Sequence, residues 1–547
     1  MSSEKTSVLI VGAGPVGLTL AIALGRRGID CVIAEQKDRP AHLPKMERCN
    51  ARTMEHFRRL GIADRVRAAG LPSHVAMDVY VTTSVAAEPI LHLLYPSPDE
   101  ARKVAGECTD ASMPLESQQL VSQYSLEPVL REVAESLPSV TVRYSCEVTS
   151  FEQDETGVTA VLSTADDIDV VRAHYLVGCD GGASTVRRAL GCTLEGQGDI
   201  ARLRQVFFRS NDLIERIPRA GQARHFYIAD EDPRMIGTAI VVQSDQRHFT
   251  LHTSLPEDTD FVPVIQGVVG MPVDVEVLAV NSWSLHLLLA NRYRDRRVFL
   301  AGDAAHLVIP QGGLGMNTGI GDAMDLEWKL AGSIEGWGGP GLLDSYEIER
   351  RQVGARNLRA SEYAARGTAT WREASNCSIN DGTDAGREVR ARVRELADIH
   401  QRKGHEMLGI ECGYRYLDSP IVCYGDDRDD GFSYSYEPRF EPGYRLPHAW
   451  LADGSSLHDY MGSGFTLLKL GSRSLDSREL EEAFSRNGVP LKVVEVKEDR
   501  LLEIYGNNLF VLRSDLHIAW SSTVPPADAD ALVSSLVGHP TSVRATV

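Results

Sequence analysis

Short apolar runs alternate with helix-like periods at the start of the chain. Residues 8–11 and 31–34 are apolar runs, and residues 15–27 between them repeat apolar positions with a helical period. Buried strands that alternate with helices are typical of βαβ units, in which parallel strands form a sheet that the helices cover. Residues 1–190 are therefore predicted to form the first part of a parallel α/β domain.

The pattern then changes to a two-residue alternation of apolar and polar positions. It is clearest around Phe207, Phe226 and Phe249, and it predicts a mostly antiparallel β domain over residues 191–290. Apolar strands followed by helices return from residue 297. We expect residues 291–425 to complete the first domain and to add a helical segment that includes residues 387–403.

A short acidic stretch, residues 426–430, separates this part from a final unit of strands and helices over residues 440–547. Clustered aspartates beside glycine and serine are typical of a linker. The chain is thus predicted to have an interrupted α/β domain, an inserted β domain and a separate C-terminal domain.

Composition narrows the possible partners. Of the 547 residues, 43% are hydrophobic and 24% charged, which is typical of folded globular proteins. The 57 Lys and Arg residues against 76 Asp and Glu residues give a net charge of −19, so nucleic acids and anionic membranes are unfavourable partners.

Nine scattered cysteines without a C-x-x-C pair favour a cytoplasmic protein and predict neither a metal site nor a redox dithiol. We find no targeting or transmembrane segment.

A glycine-rich turn follows the first apolar run. Gly12, Gly14 and Gly17 form a G-x-G-x-x-G pattern, Pro15 opens the predicted helix, and Glu35 ends the next strand. In this pattern the first glycine permits a tight turn, the second lets a pyrophosphate approach the backbone, and the third lets the helix pack closely on the strand. The acidic residue can accept hydrogen bonds from ribose hydroxyls. Together these features predict a dinucleotide site.

Two later strands end in the same way. An apolar strand over residues 175–179 ends at Asp180, and another over residues 297–301 ends near Asp303, followed by a glycine-rich loop and helix over residues 310–317. Open α/β sheets bind ligands at the carboxyl ends of their strands. Three such endings indicate one extended cofactor.

These three motifs, in this order, resemble those of the FAD-dependent aromatic hydroxylases, which are single-component class A flavoprotein monooxygenases. The resemblance covers nearly the whole chain, and the C-terminal unit looks like that of the phenol hydroxylase subfamily. It implies an α/β fold: a Rossmann-like FAD-binding domain with an inserted, mostly antiparallel β substrate domain and a C-terminal thioredoxin-like domain.

The resemblance also implies which residues bind FAD. Lys45 stands where many relatives have an arginine that contacts the pyrophosphate, and it keeps the charge without the bidentate geometry. The residues implied in FAD binding are Gly12, Gly14, Pro15, Gly17, Glu35, Lys45, Gln123, Asp180, Asp303, Pro310, Gly313, Gly315, Met316 and Asn317. NAD(P)H is expected to bind transiently, because the sequence has no second G-x-G-x-x-G in a strand and helix context.

Glu47 and Arg48 stand where relatives line the substrate pocket, and we take them as the candidate catalytic residues. A carboxylate at position 47 could accept the proton of a phenol, or it could simply pair with Arg48; both interpretations stay open here. His225 and Tyr227 are the candidate substrate-binding residues, and Arg204 and His252 belong to the same β layer.

The activity implied is hydroxylation of a phenolic or other electron-rich aromatic ring. NAD(P)H reduces FAD, O2 forms a flavin C4a-hydroperoxide, and one oxygen is transferred, with the position ortho to a hydroxyl favoured. The alternatives are tailoring of a polyketide or antibiotic, oxidative removal of a nitro or halogen substituent, and a flavin-binding scaffold without turnover. A homo-oligomer is left open.

Overall fold

The computed structural model describes residues 4–38, 44–45, 47–230, 238–427, 429–473 and 475–540. The strands are β1 Glu4–Val11, β2 Cys31–Ala34, β3 Arg48–Cys49, β4 Asp78–Thr82, β5 Leu91–Leu93, β6 Gln119–Leu120, β7 Val140–Arg143, β8 Glu147–Gln153, β9 Val158–Ser163, β10 Ile168–Gly178, β11 Leu194–Gln197, β12 Arg202–Arg209, β13 Ala223–Ile228, β14 Ala239–Val242, β15 His248–Thr253, β16 Glu276–Ser284, β17 Leu287–Ala290, β18 Arg294–Asp295, β19 Val298–Leu300, β20 His306–Leu307, β21 Phe465–Leu470, β22 Leu491–Val496, β23 Leu509–Leu512 and β24 Ile518–Ser522.

The α-helices are α1 Pro15–Arg26, α2 Ala51–Arg59, α3 Ala63–Ala69, α4 Pro98–Glu107, α5 Gln123–Glu135, α6 Thr185–Ala189, α7 Leu213–Arg216, α8 Phe261–Val269, α9 Gly315–Glu335, α10 Pro340–Arg372, α11 Asp384–His400, α12 Leu408–Cys412, α13 Arg478–Arg486, α14 Asp499–Tyr505 and α15 Ala529–Leu536. Short 3-10 helices span Pro218–Gln222, Gly302–Ala304, Cys377–Asn380, Arg402–Gly404 and Leu457–Tyr460.

The first domain is built on a sheet with the strand order β18-β19-β10-β1-β2-β7. From β19 to β7 the neighbouring strands are parallel, and the β8–β9 hairpin extends the sheet from β10. Helix α1 packs against both α5 and α9. Its residues from Gly17 to Gly25 are buried, because an apolar helix of this kind is covered by the sheet on one side and by other helices on the other.

The inserted domain is a sheet of order β16-β12-β15-β14-β13-β4-β5. Its pairs are antiparallel except for β13 with β4. Strands β4 and β5 come from the first part of the chain, so the predicted range 191–290 leaves out two strands of this sheet. One face carries a core that includes Phe208, Phe226, Phe249 and residues of α8. The other face looks toward the first domain.

The helical segment packs against α10 and against β5 of the inserted domain, and the acidic stretch is held by hydrogen bonds to a neighbouring arginine. The predicted helix over 387–403 is α11, which begins where the Thr383 hydroxyl accepts a hydrogen bond from the Gly386 amide. The described residues of the acidic stretch, 426–427 and 429–430, have no regular secondary structure. Arg415 holds them, because it pairs with Asp427 at 3.2 Å and donates to the Asp429 carbonyl at 3.0 Å.

The C-terminal sheet has the order β22-β21-β23-β24, with β21 and β22 parallel and the other pairs antiparallel. Helices α13, α14 and α15 follow β21, β22 and β24 in the chain, which is the thioredoxin-like order. Arg513 from this unit forms buried ion pairs of 2.6 Å with Asp325 and with Glu349 of the first domain. The predicted α/β fold with an inserted β domain and a thioredoxin-like C-terminal domain is confirmed. Across the described ranges, no helix combines the length and apolar character needed to cross a membrane.

Candidate functional site

The three strand endings singled out in the sequence lie side by side. In the sheet, Val11 of β1 is level with Gly178 of β10, and Gly178 is level with Leu300 of β19. The ladder continues one step further, because the Cys179 amide donates to the Val11 carbonyl at 2.8 Å and the Ala301 amide donates to the Gly178 carbonyl at 3.0 Å. The loops that carry Gly12, Asp180 and Asp303 therefore leave the sheet together, at one edge.

The glycines of the first loop are packed very differently. Gly12 has φ +104°, and a Cβ there would lie 2.5 Å from the Cys179 carbonyl oxygen; at Gly17 a Cβ would lie 2.1 Å from the Gly12 carbonyl oxygen. At Gly14 a Cβ would meet nothing within 4 Å. Two glycines thus serve close packing, whereas Gly14 borders open space at the N-terminus of α1, which begins with Pro15. A phosphate group fits such a place.

Glu35 faces the same loop. Its carboxylate accepts hydrogen bonds from the Ala13 amide at 2.8 Å and from the Lys37 amide at 2.9 Å. Two oxygens of an ionised carboxylate offer about four acceptor positions. Glu35 can therefore hold this loop and still accept hydrogen bonds from the hydroxyls of a ribose.

Asp180 supports the second loop. One of its oxygens accepts from the Thr185 hydroxyl and the Val186 amide, both at 3.0 Å, at the start of α6. The other oxygen is buried and has no hydrogen-bond partner in the described part of the chain. Arg187 donates to the Gly182 carbonyl at 2.7 Å and to the Ala304 carbonyl at 3.0 Å. It thereby joins the second loop to the third, and sequence reasoning gave it no such part.

Asp303 lies in the third loop, at the edge of the sheet where the three strand endings meet. Its side chain is open to solvent, yet the surrounding protein raises the pKa of its carboxyl group, while the charges of His306 and Lys45 act in the opposite direction. Lys45 is itself exposed. Gln123, at the start of α5, is buried and donates to Glu127 at 2.5 Å. The exposed Asp303 carboxylate and the Lys45 cation suit the polar chain of a dinucleotide.

Behind the third loop is a buried polar cluster. Asp322 of α9 accepts from the Gly302 amide at 3.0 Å, meets His306 Nε2 at 2.8 Å and pairs with Arg350 at 2.8 Å. All three side chains are buried. Opposite charges and hydrogen bonds that satisfy one another rigidify such a cluster, so it holds the loop that carries Asp303.

The glycine-rich loop before α9 turns sharply. Gly312 and Gly313 have φ values of +89° and +62°, and the Gly313 amide donates to the Pro310 carbonyl at 2.8 Å. Pro310 is exposed, and Gly315 and Met316 are half-buried at the start of α9. The free amides of the first helical turn and the helix dipole favour negative charge at this end.

Asn317 connects this loop to the segment around Arg48. Its amide nitrogen donates to the carbonyl oxygens of Gly313 at 2.6 Å and Arg48 at 3.0 Å, and its amide oxygen accepts from the Asn50 backbone at 2.9 Å. One buried side chain therefore fixes the distance between the α9 terminus and the candidate pocket residues.

The two candidate catalytic residues have different partners. Arg48 pairs with Glu411 of α12 and donates to the Gly312 carbonyl at 3.2 Å. Glu47 instead faces two imidazoles of the β domain: its Oε2 lies 3.5 Å from His225 Nε2 and its Oε1 lies 4.0 Å from His252 Nε2. Within the described residues the two neighbours form no ion pair with each other. Glu411 is remote in sequence, and no local signal identified it.

Protonation follows from this arrangement. Burial tends to raise the pKa of the Glu47 carboxyl, but hydrogen bonding and charge from His225 and His252 outweigh it and hold that pKa well below its ordinary value of 4.5. Burial, reinforced by the charge of Arg224, lowers the pKa of His225 to about 4. At neutral pH the pocket therefore holds an ionised Glu47 and a neutral His225.

The β domain contributes one face of its sheet to the pocket. His225 and Tyr227 stack with ring centroids 5.5 Å apart, and His405, which follows the helical segment, lies 5.7 Å from the first ring and 6.0 Å from the second. His252 is on this face as well. Arg204 is not, because strand alternation places it on the same side as Val206 and Phe208, which belong to the core of the domain.

Comparison with known proteins gives consistent results over most of the chain. A family described as an FAD binding domain matches residues 5–361. The FAD-dependent monooxygenase apdD of Emericella nidulans is 33% identical over 574 residues, which cover 98% of this chain and 91% of that protein. Phenol 2-monooxygenase of a Pseudomonas species is 29% identical, over 98% of this chain and 93% of its own.

A solved structure shows the same fold. RebC, in a crystal soaked with chromopyrrolic acid and containing 7-carboxy-K252c, has a TM-score of 0.90 at 31% identity, over 98% of this chain and 100% of that one.

Proposed function

Because the chain belongs to the family of FAD-dependent aromatic hydroxylases, we propose that it is an NAD(P)H-consuming monooxygenase that adds one oxygen atom of O2 to a phenolic or other electron-rich aromatic ring. One observation carries the proposal: three adjacent strand endings leave the sheet at one edge, and Asn317 ties the loop after the third of them to the segment next to Glu47 and its two histidines. A cofactor bound along that edge would end beside Glu47.

The residues present fit FAD. Three features offer room or a polar atom to a ligand. They are the open space at Gly14, the buried Asp180 oxygen without a partner among the described residues, and the exposed Asp303 carboxylate. We assign Gly14 and Lys45 to the pyrophosphate, Glu35 and Gln123 to the adenosine ribose side, and Asp303 to the ribitol chain. Bound FAD, reduced by NAD(P)H, would supply the activation of O2 for oxygen transfer.

Glu47 prepares the ring for attack. It is ionised at neutral pH, so it accepts the hydrogen bond of a phenolic O–H and increases the electron density on the ring oxygen and its ortho and para carbons. Because its pKa is lowered, the Glu47 carboxylate is a weak base and does not take the phenolic proton away completely. We therefore assign it the orientation and polarisation of the hydroxyl group, with the ortho position favoured for oxygen addition.

Two parts of the chain control charge and water near the reaction. The amides of the Gly312–Gly313 turn and of the first turn of α9 would stabilise negative charge on a reduced cofactor bound beside them. The face of the β domain that carries His225 and Tyr227 covers the pocket and limits the access of water. Asn317 ties the first of these parts to the Arg48 segment beside Glu47.

A substrate screen under air tests this proposal. Protein reconstituted with FAD is supplied with NADH or NADPH and with simple phenols, aromatic acids, fused polyketide-type rings, and nitro- or halophenols. We expect faster cofactor oxidation with some of these compounds and a product heavier by one oxygen atom. FAD that stays bound while oxidation remains at background with every compound would favour a scaffold without turnover, and displacement of nitrite or halide would favour the substituent-removing alternative.

Two further properties stay predictions. The scattered free cysteines, most of which are buried, support a cytoplasmic location, which cell fractionation would test. The oligomeric state requires light scattering of the purified holoprotein.

A further inference from the structure

Arg224 of β13 is a buried cation that forms no ion pair within the described part of the chain. Its exposed fraction is 7%, and its Nε atom has no hydrogen-bond partner among those residues. Arginine carries five N–H donors and keeps its charge at all ordinary pH values. Unlike a buried lysine, it cannot escape the cost of burial by losing a proton.

A β-bulge turns this side chain toward the pocket. The register between β13 and β4 shifts between Ala223 and His225, so Arg224 is the extra residue. The residues on the core side of β13 confirm the extra residue, because Ala223, Phe226 and Ile228 all belong to the core of the β domain. Two residues separate Ala223 from Phe226, where regular alternation allows one. Arg224 therefore shares the pocket side with His225.

The nearby acidic groups are already engaged. The two oxygens of Glu47 face His225 and His252, at 3.5 and 4.0 Å, and Glu411 pairs with Arg48. Asp78, opposite Ala223 in the sheet, binds His92 at 2.6 Å and the Tyr95 amide at 2.9 Å. None of these three carboxylates therefore pairs with the guanidinium of Arg224, which can bind a ligand on the pocket side.

We propose that Arg224 binds a carboxylate carried by the aromatic substrate, so that the substrate class is an aromatic acid and not a neutral phenol. The inference rests on the proposed function, since it places this group in the hydroxylation pocket. The planar fork of an arginine matches a carboxylate through two parallel hydrogen bonds. Binding at Arg224 would anchor one end of the ring while Glu47 orients the hydroxyl group.

The surroundings of the arginine support an anionic ligand. The pKa values of His225 and His405 are lowered first by burial and next by the charge of Arg224, which means that both imidazoles stay neutral in a positive local field. A carboxylate that binds at Arg224 gains attraction from this charge, while the ionised Glu47 keeps the anion on the Arg224 side of the pocket.

Ligand pairs that differ only in charge test the proposal. The FAD-loaded protein is titrated with 4-hydroxybenzoate and 3-hydroxy-2-naphthoate, and with the methyl ester of each, and binding is read from the change in the flavin absorption spectrum. For at least one pair we expect the acid to bind about tenfold tighter or more than its ester. Arg224→Met should bring the two affinities within about twofold, and Arg224→Lys should restore part of the preference, because it returns the charge without the fork.

Arg209→Met is the matched control. Arg209 lies on the same sheet but pairs with Glu276 at the exposed surface, so its removal should leave the preference intact. If wild-type protein binds no acid of the panel tighter than its ester, or if Arg224→Met keeps the preference, the proposal is wrong. Failure of the proposed function looks different, since it appears as protein that does not retain FAD or does not oxidise NAD(P)H, whatever stands at position 224.

Discussion

Alanine at position 14 should weaken cofactor binding and leave the apoprotein intact. Gly14 has φ −73° and ψ 178°, which alanine adopts readily, and its Cβ would meet nothing within 4 Å. We therefore expect the apoprotein to unfold within ~0.5 kcal/mol of wild type. The methyl group would instead fill the space next to the pyrophosphate. Loss of one hydrogen bond to a charged group costs ~1.5–3 kcal/mol, or about 10- to 150-fold in FAD affinity.

Alanine at position 17 should do the reverse. Its Cβ would lie 2.1 Å from the Gly12 carbonyl oxygen, where contacts below 3.0 Å essentially never occur, and 3.3 Å from the Ile10 side chain. Both neighbours belong to the strand and turn that pack on α1, so relief requires movement of the backbone. Overpacking of this kind costs ~1–3 kcal/mol or more, and Gly17→Ala should unfold at lower temperature even without FAD.

Thermal unfolding with and without FAD separates the two effects. At a concentration 100 times the dissociation constant, FAD stabilises the wild-type protein by ~2.7 kcal/mol, and a 100-fold weaker complex would keep only ~0.4 kcal/mol of this. The apparent Tm of Gly14→Ala should therefore respond little to FAD. An undiminished response in that variant, or unchanged apoprotein stability in Gly17→Ala, would refute the assignment of these two glycines.

Four other changes test separate parts of the account. Asp303→Ala should leave the purified protein with at least about tenfold weaker FAD retention, measured from the ratio of flavin to protein absorbance. Glu47→Gln should slow the hydroxylation of phenols of high pKa more than that of phenols already ionised, measured as initial rates at one pH. The pKa of His225 is lowered from 6.5 to about 4. Between these pH values the folded chain binds fewer protons than the unfolded chain, so it loses stability as the pH falls. His225→Gln should therefore make the fall in Tm over that range shallower. Arg513→Met should cost ~3–5 kcal/mol in denaturant unfolding, because it breaks buried ion pairs.

Each of these has a contrary outcome. Full flavin content in Asp303→Ala would remove it from the ribitol site, with Asp303→Asn as the milder comparison. Equal slowing of both kinds of phenol would remove the polarising role of Glu47. A Tm profile of His225→Gln parallel to that of wild type would mean that His225 titrates normally. A loss below ~1 kcal/mol for Arg513→Met would show that its ion pairs contribute little.

The meeting of the three strand endings could be predicted from sequence because its signals are local. Gly12, Asp180 and Asp303 each follow a buried strand, and the ends of parallel strands meet at one edge of a sheet. The order of motifs along the chain therefore translates directly into neighbours in space. The same holds for Pro15 at the first position of α1, where its fixed φ and missing N–H suit a helix start.

The pocket could be predicted only in part. Simple alternation along β13 places Arg224 on the core side with Phe226, and only the bulge brings it beside His225. The partner of Arg48 comes from a helix 363 residues away, and no periodicity carries that information. Arg204, which belongs to the same β layer, lies on the core side with Val206 and Phe208. Strands β4 and β5 also joined the β domain from outside its predicted range, because sheet partners need not be neighbours in sequence.

The central claim is that distant segments of this chain form one FAD site, and an equilibrium titration of apoprotein with FAD tests it most directly. Flavin fluorescence and absorbance should report saturable binding of one FAD per chain, with an affinity at least about tenfold weaker in Gly14→Ala and Asp303→Ala and unchanged in Arg224→Met. Apoprotein that is folded by its thermal transition and yet takes up no FAD would contradict the account.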